Sequence, residues 1–120
     1  MNKKALIIDD CLETTNLTKF LLKKLGIQEV LTANSQEDFF KLWENCKPDF
    51  IITDWNIAND FKGDQIIAEA SSMQIPVALV TSEEKANVFH KIEEIYAEAF
   101  AFIAKPLNIN ALKAWLDSIN

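Results

Sequence analysis

The segment Phe50-Ile51-Ile52-Thr53-Asp54-Trp55-Asn56 decides how the chain is read. It is a short apolar, β-favouring run that stops on a carboxylate, with Pro48 before it and polar residues after. A run of this kind reads as a strand buried on both faces, here 49–54. Such a strand cannot carry a charge at its middle, but at its end it presents one to a crevice. Asp54 is therefore a candidate phosphorylatable carboxylate. The competing reading is a plain strand end, since Asp often opens a turn.

Working outward, four more apolar runs alternate with helical patterns. Residues 3–9 read as a first strand ending on Asp9-Asp10. Leu12, Leu17, Phe20, Leu21 and Leu25 then recur at helical spacing up to Gly26, a natural helix stop. Residues 28–33 form a more polar strand suited to a sheet edge. A helix capped by Asn34-Ser35 follows, with Glu37 and Asp38 in its first turn and Phe39, Phe40, Leu42 and Trp43 on its buried side. After the opening strand come a polar loop (55–62), a helix over 64–73 and a strand over 76–81 ending on Thr81-Ser82. A long helix is expected over 83–97, burying Val88, Phe89, Ile92, Ile95 and Tyr96. The fifth strand, 100–104, ends on Lys105-Pro106, and a last helix covers 108–118. Five strand–helix repeats without a linker predict one α/β domain over 1–120, a doubly wound five-stranded parallel sheet with helices on both faces. The chain stops close after the last helix, so any output is expected to come through a partner.

In an open α/β sheet, ligands bind at the carboxyl ends of the strands. Those ends carry Asp9 and Asp10, Asp54, Thr81 and Lys105, while the second strand supplies only Ala33-Asn34. Close carboxylates repel unless cations offset them. Lys105 is one cation, and an oxygen-only ligand set suits Mg²⁺ better than Zn²⁺. A metal, an amine and a hydroxyl beside a carboxylate are what phosphoryl transfer requires: the cations neutralise the phosphoryl oxygens, the hydroxyl hydrogen-bonds to one, and the carboxylate attacks. Taken singly, each group also has an ordinary reading as a cap, a strand end or a solvated charge.

Composition narrows the field. With 18 acids against 12 bases the net charge is −6, which disfavours a nucleic-acid or anionic-membrane surface. Cys11 and Cys46 lack metal-ligand spacing and read as two reduced, partly buried thiols of a cytoplasmic protein. The apolar run after Lys3-Lys4 is too short for a signal peptide, and no run reaches the roughly 18 residues of a membrane helix. Gly26 and Gly63 are the only glycines, too few for a Gly-rich phosphate loop. His90 stands alone and reads as a surface or boundary residue.

With these residues in place, the sequence resembles the receiver domain of bacterial two-component response regulators, most of all the stand-alone kind related to the chemotaxis regulator. The matching motifs are Leu6-Ile-Ile-Asp9-Asp10, Asp49-Phe-Ile-Ile-Thr-Asp54-Trp-Asn56, Leu79-Val-Thr81-Ser82-Glu83 and Phe102-Ile-Ala-Lys105-Pro106, in the family's order and across the whole chain. The resemblance implies a flavodoxin-like strand order 2-1-3-4-5. It implies that Asp54 accepts a phosphoryl group from a sensor histidine kinase or a histidine phosphotransfer domain. Asp10, Asp54 and the backbone carbonyl of Asn56 would hold Mg²⁺, with Asp9 helping through water. Thr81 and Lys105 would contact the phosphoryl oxygens. Thr81 and the aromatic Phe102 would act as the switch, and Asn56 and Glu83 would tune hydrolysis toward a short-lived phosphorylated state. Lys105-Pro106 would be a cis peptide. An unknown downstream protein would be met by the face made of the fourth helix, fifth strand and fifth helix, with no direct nucleic-acid or membrane partner. On this reading the protein is not a conventional enzyme but catalyses its own phosphorylation and dephosphorylation.

The chain departs from the family pattern in three places. Ala58 stands where proline is usual, the loop from Asp54 to Gly63 is one residue longer and carries Lys62, and Glu98 replaces a glycine before the fifth strand. Two rival readings remain at this stage. One is a receiver-like interaction module that signals without phosphate. The other is an aspartate-nucleophile phosphohydrolase, although such enzymes usually want an acid two residues past the nucleophile, where this chain has Asn56.

Overall fold

The computed structural model describes residues 3–57, 61–92, 96 and 99–119. The five apolar runs become strands β1 (Lys4–Ile8), β2 (Glu29–Ala33), β3 (Phe50–Thr53), β4 (Val77–Thr81) and β5 (Ala101–Ala104). All neighbours pair in parallel, in the order β2-β1-β3-β4-β5. The polar run is thus an edge strand, as its composition predicts, and the three most apolar runs lie inside.

Helices α1 (Leu12–Lys24), α2 (Gln36–Asn45), α3 (Gly63–Ser72), α4 (Lys85–Lys91) and α5 (Ile109–Ile119) cover both faces. Alternation along the strands sorts the core into two halves. Leu6, Ile8, Ile51 and Leu79 face Phe39 of α2, Ile66 and Ile67 of α3 and Val88 of α4. Ala5, Ile7, Phe50, Ile52 and Val80 face Leu22 of α1 and Leu112, Trp115 and Leu116 of α5. The Phe39 ring packs on Phe40, Trp43 and Phe61 at 5.1, 5.4 and 5.8 Å, so the aromatic run of α2 is core rather than ligand box. Ser35 caps α2, its hydroxyl accepting from the Asp38 N–H at 3.2 Å.

Three local expectations are corrected. The buried face of α1 is Thr15, Thr18, Leu21 and Leu22, whereas Leu12, Leu17 and Phe20 are exposed. Both threonines return their hydroxyls to the helix itself, at Cys11 O (3.0 Å) and Thr14 O (2.9 Å), so their remaining methyls can be buried. Helix α4 does not run over 83–97. It spans Lys85–Lys91, and Ile92 is already extended. His90 and Lys91 fill its last turn, the favourable side of the helix dipole. Ile95, Ala58 and Glu98 lie outside the described residues. Third, Cys46 is buried but Cys11 is exposed, and both are free thiols. His90 is exposed. Among the described residues no helix is long and apolar enough to cross a membrane.

Candidate functional site

The site residues sit one step past the strand ends, where the main chain is still held by the ladder. The Asp54 N–H donates to Ile8 O (2.9 Å), that of Asp9 to Ala33 O (3.1 Å), and that of Lys105 to Thr81 O (2.9 Å). The side chains therefore leave the sheet from fixed points. The Lys105-Pro106 peptide is cis.

Three of the sequence-predicted groups meet directly. The Lys105 ammonium lies 2.9 Å from Asp54 Oδ2 and 3.3 Å from Asp9 Oδ2. The remaining oxygens are also engaged: Asp54 Oδ1 accepts from the Trp55 N–H at 2.6 Å, and Asp9 Oδ1 from that of Cys11 at 2.9 Å. Burial drives the Asp9 pKa above its ordinary value, against the lowering effect of the Cys11 N–H, and the neighbouring Asp54 charge raises it further. For Lys105, burial favours the neutral amine, but the hydrogen bond and charge of Asp54, together with Asp9, outweigh it and raise the pKa. The two carboxylates and the one amine are thus a partly compensated cluster with one negative charge left over.

Thr81 is buried at the end of β4. Its Oγ1 accepts from the Glu83 N–H at 3.1 Å and donates to no described residue, so its O–H is available to an oxygen entering the crevice. Asn56 and Glu83 are joined by an Nδ2–Oε1 hydrogen bond of 3.2 Å. Phe102 is half-buried on β5, its ring 6.4 Å from that of Phe89, with the Lys85 ammonium over both rings at 5.6 and 6.0 Å.

Asp10 is exposed and, among the described residues, makes no ion pair with Lys105. With Asp9, Asn34 and Asp38 it lines a hollow of about 160 Å³ at the ends of β1 and β2. Among the described residues no three His, Cys, Asp or Glu side chains are gathered as a metal cluster. The donor chemistry nevertheless fits a hard divalent ion: every candidate ligand is an oxygen. The fourth candidate is the Asn56 carbonyl. Asn56 and Lys62 form an antiparallel bridge closed by the flanking Ile57 N–H to Phe61 O (2.9 Å) and Gly63 N–H to Trp55 O (2.8 Å). In that pattern the Asn56 carbonyl points away from its partner, and it accepts from no described residue.

Several supporting groups escape the sequence reading. The Thr53 hydroxyl donates to the Asp54 carbonyl at 2.9 Å. Gly63 is required by close approach, since a Cβ there would lie 2.9 Å from Asp54 O and 2.9 Å from Leu79 Cδ1. Lys62 donates to Asn56 Oδ1 at 2.5 Å. Lys62 is the one base in the 55–62 loop, and the sequence marks it only as part of a departure from the family pattern, without a partner.

A five-stranded parallel sheet with an Asp–Lys–Asp cluster at its carboxyl edge defines a class, and residues 5–117 match the response regulator receiver domain; the chain belongs to that family. It is a receiver domain of the CheY type. It is 30% identical over 122 residues to chemotaxis protein CheY-3 of Vibrio cholerae, covering 98% of this chain and 92% of that protein. Chemotaxis protein CheY1 of Helicobacter pylori is also 30% identical, with 97% and 95% covered. Among solved structures, chemotaxis protein CheY4 of Vibrio cholerae superposes with a TM-score of 0.83 over 100% of both chains at 22% identity, a likeness of fold.

Proposed function

We propose that this protein is a phosphorylation-dependent response regulator, with Asp54 as the phosphoacceptor. The observation that carries the reading is the Lys105 ammonium held on Asp54 and shared with Asp9. An Asp54 carboxylate oxygen attacks the phosphorus of a phosphohistidine on a sensor kinase or phosphotransfer domain. The O–P bond forms as the N–P bond breaks, and the imidazole nitrogen keeps that electron pair and takes up a proton. Lys105 neutralises charge on the phosphoryl oxygens, and the free Thr81 O–H donates to one of them. Mg²⁺, when bound, supplies further charge neutralisation there, and Asp9, Asp10, Asp54 and the Asn56 carbonyl would hold it. Engagement of Thr81 draws on the hydroxyl that now anchors Glu83, which couples the site to the loop before α4. Phe102 and the α4–β5–α5 face then report the change to a downstream protein. Such a relay belongs in the cytoplasm.

Trp55 is 3% exposed and hydrogen-bonded to Asp54 through its N–H, so its fluorescence reads the site. In the parent, Mg²⁺ followed by a small acyl phosphate changes that fluorescence and leaves an acid-stable, base-labile label; Asp54→Asn shows neither. A parent that takes no label sinks the proposal, and multiple turnover of a phosphate ester through Asp54 replaces it with a hydrolase.

A further inference from the structure

The Asn56–Glu83 hydrogen bond has a third member. Asn56 and Lys62 are directly opposite each other in the small antiparallel bridge, in the non-hydrogen-bonded position where side chains come closest. The Lys62 ammonium accordingly reaches Asn56 Oδ1 at 2.5 Å, while Asn56 Nδ2 donates to Glu83 Oε1 at 3.2 Å. The chemistry of the two ends fixes the amide. Lysine only donates and an ionised glutamate only accepts, so Oδ1 must face Lys62 and Nδ2 must face Glu83. A flipped amide would point like against like at both ends.

Lys62, Asn56 and Glu83 therefore form a tie between the start of α3 and the loop after β4. Asn56 lies two residues past Asp54, and Glu83 two past Thr81, so the tie crosses the solvent side of the crevice between adjacent strand ends. It also ends on Thr81, through the Glu83 N–H to Thr81 Oγ1 bond. Water that hydrolyses a phosphoryl group on Asp54 must arrive in line, opposite the Asp54 oxygen, and the exposed Asn56–Glu83 pair stands between solvent and the two strand ends that carry Asp54 and Thr81.

We infer that Lys62 is a positioning residue: by clamping Asn56 against Glu83 it restrains the mouth of the site and lengthens the life of the phosphorylated state. This rests on the proposed phosphorylation of Asp54. An untethered Asn56 amide can turn and leave Glu83, opening the path to water.

The test compares parent, Lys62→Met, Lys62→Arg, Glu83→Ala and the Lys62→Met/Glu83→Ala double variant. Each is labelled with a small acyl phosphate in Mg²⁺, freed of donor, and followed as label and Trp55 fluorescence decay. Lys62→Met should lose its label roughly threefold to tenfold faster than the parent, the scale of one charge-assisted hydrogen bond. Lys62→Arg should restore most of the parent rate. In the Glu83→Ala background, Lys62→Met should add no further acceleration, because the tie is already cut. In unlabelled protein, the Asn56 side-chain amide resonances should move in Lys62→Met and stay near the parent positions in Lys62→Arg, a readout independent of phosphorylation. Equal decay in parent and Lys62→Met, or the same acceleration with Glu83 present or absent, overturns the inference while leaving Asp54 phosphorylation standing. A parent that takes no label overturns both.

Discussion

Gly63 is the position where the site tolerates least. It opens α3, and it lies so close to β3 and β4 that a Cβ would meet the Asp54 carbonyl oxygen and Leu79 Cδ1, each at 2.9 Å, and Trp55 Cα at 3.3 Å. The carbonyl has little room to yield, since the Thr53 hydroxyl already holds it at 2.9 Å and the Asp54 N–H is bound to Ile8 O. Leu79 is fully buried. Gly63→Ala is thus an overpacking change, costing about 2 kcal/mol. With an unfolding entropy of ~2.1 cal/mol/K per residue, a 120-residue domain loses about 4 °C of Tm per kcal/mol, so Tm should fall by about 8 °C. The displaced group is the backbone of Asp54 itself, and phosphorylation should slow roughly tenfold. Calorimetry and acyl-phosphate labelling measure the two effects. Gly26→Ala is the control: its φ of +92° strains any side chain, but nothing lies within 4 Å, so it should cost stability and leave labelling unchanged. A Gly63→Ala protein that melts within about 2 °C of the parent and labels at the parent rate would refute the reasoning.

Other outcomes follow from the charge cluster and the caps. Lys105→Met leaves Asp9 and Asp54 facing each other without a cation; unfolding in the absence of divalent ions should show a loss of about 2 kcal/mol, partly recovered by millimolar Mg²⁺. Because the folded Asp9 pKa lies above 3.8, the native state binds more protons than the unfolded chain just above that pH. Its contribution therefore makes stability fall as pH rises through that window, and Asp9→Asn should flatten the slope in urea titrations. The raised Lys105 pKa acts at the other end: its stabilisation is complete below 10.5 and is lost as pH climbs through the folded value, a step that Lys105→Met should abolish. Ser35→Ala removes the α2 cap and should lower stability by about 1 kcal/mol, measured by denaturant midpoint at unchanged slope.

The sheet was legible because its signal is strong: apolar runs such as Phe50–Thr53 and Val77–Thr81 are buried throughout, and polar Glu29–Ala33 falls at the edge. The groups at the strand ends were legible for the same reason, since strand ends fix where side chains emerge. Amphipathic detail was less so. Leu12, Leu17 and Phe20 look like a core stripe, yet α1 buries two threonines, whose suitability depends on back-bonds to the helix that composition does not display. The fourth helix was overextended because Phe89, Ile92 and Tyr96 keep helical spacing past the point where the chain straightens at Ile92. Asp10 is a further case: its place beside Asp9 in the sequence does not say how far it lies from Lys105, and the two acids line one hollow at the ends of β1 and β2. The Lys62 tie and the Gly63 contact depend on how a loop folds back, information that no local pattern holds.

The clasp that closes the loop after β3 also bears on how such a chain can change over generations. Trp55 is tied to Gly63 and Ile57 to Phe61 by main-chain bonds alone, so no side chain is needed to keep the loop's two ends together. A residue gained or lost inside that bracket falls between Ile57 and Phe61, and enlarging a segment of this size by one costs only about 0.3 kcal/mol of chain entropy. Asp54 and the start of α3 are insulated from the event. The bracket is therefore where sequence length can drift and new side chains can be tried against a fixed phosphoacceptor, and Lys62, at its edge, is within reach of Asn56.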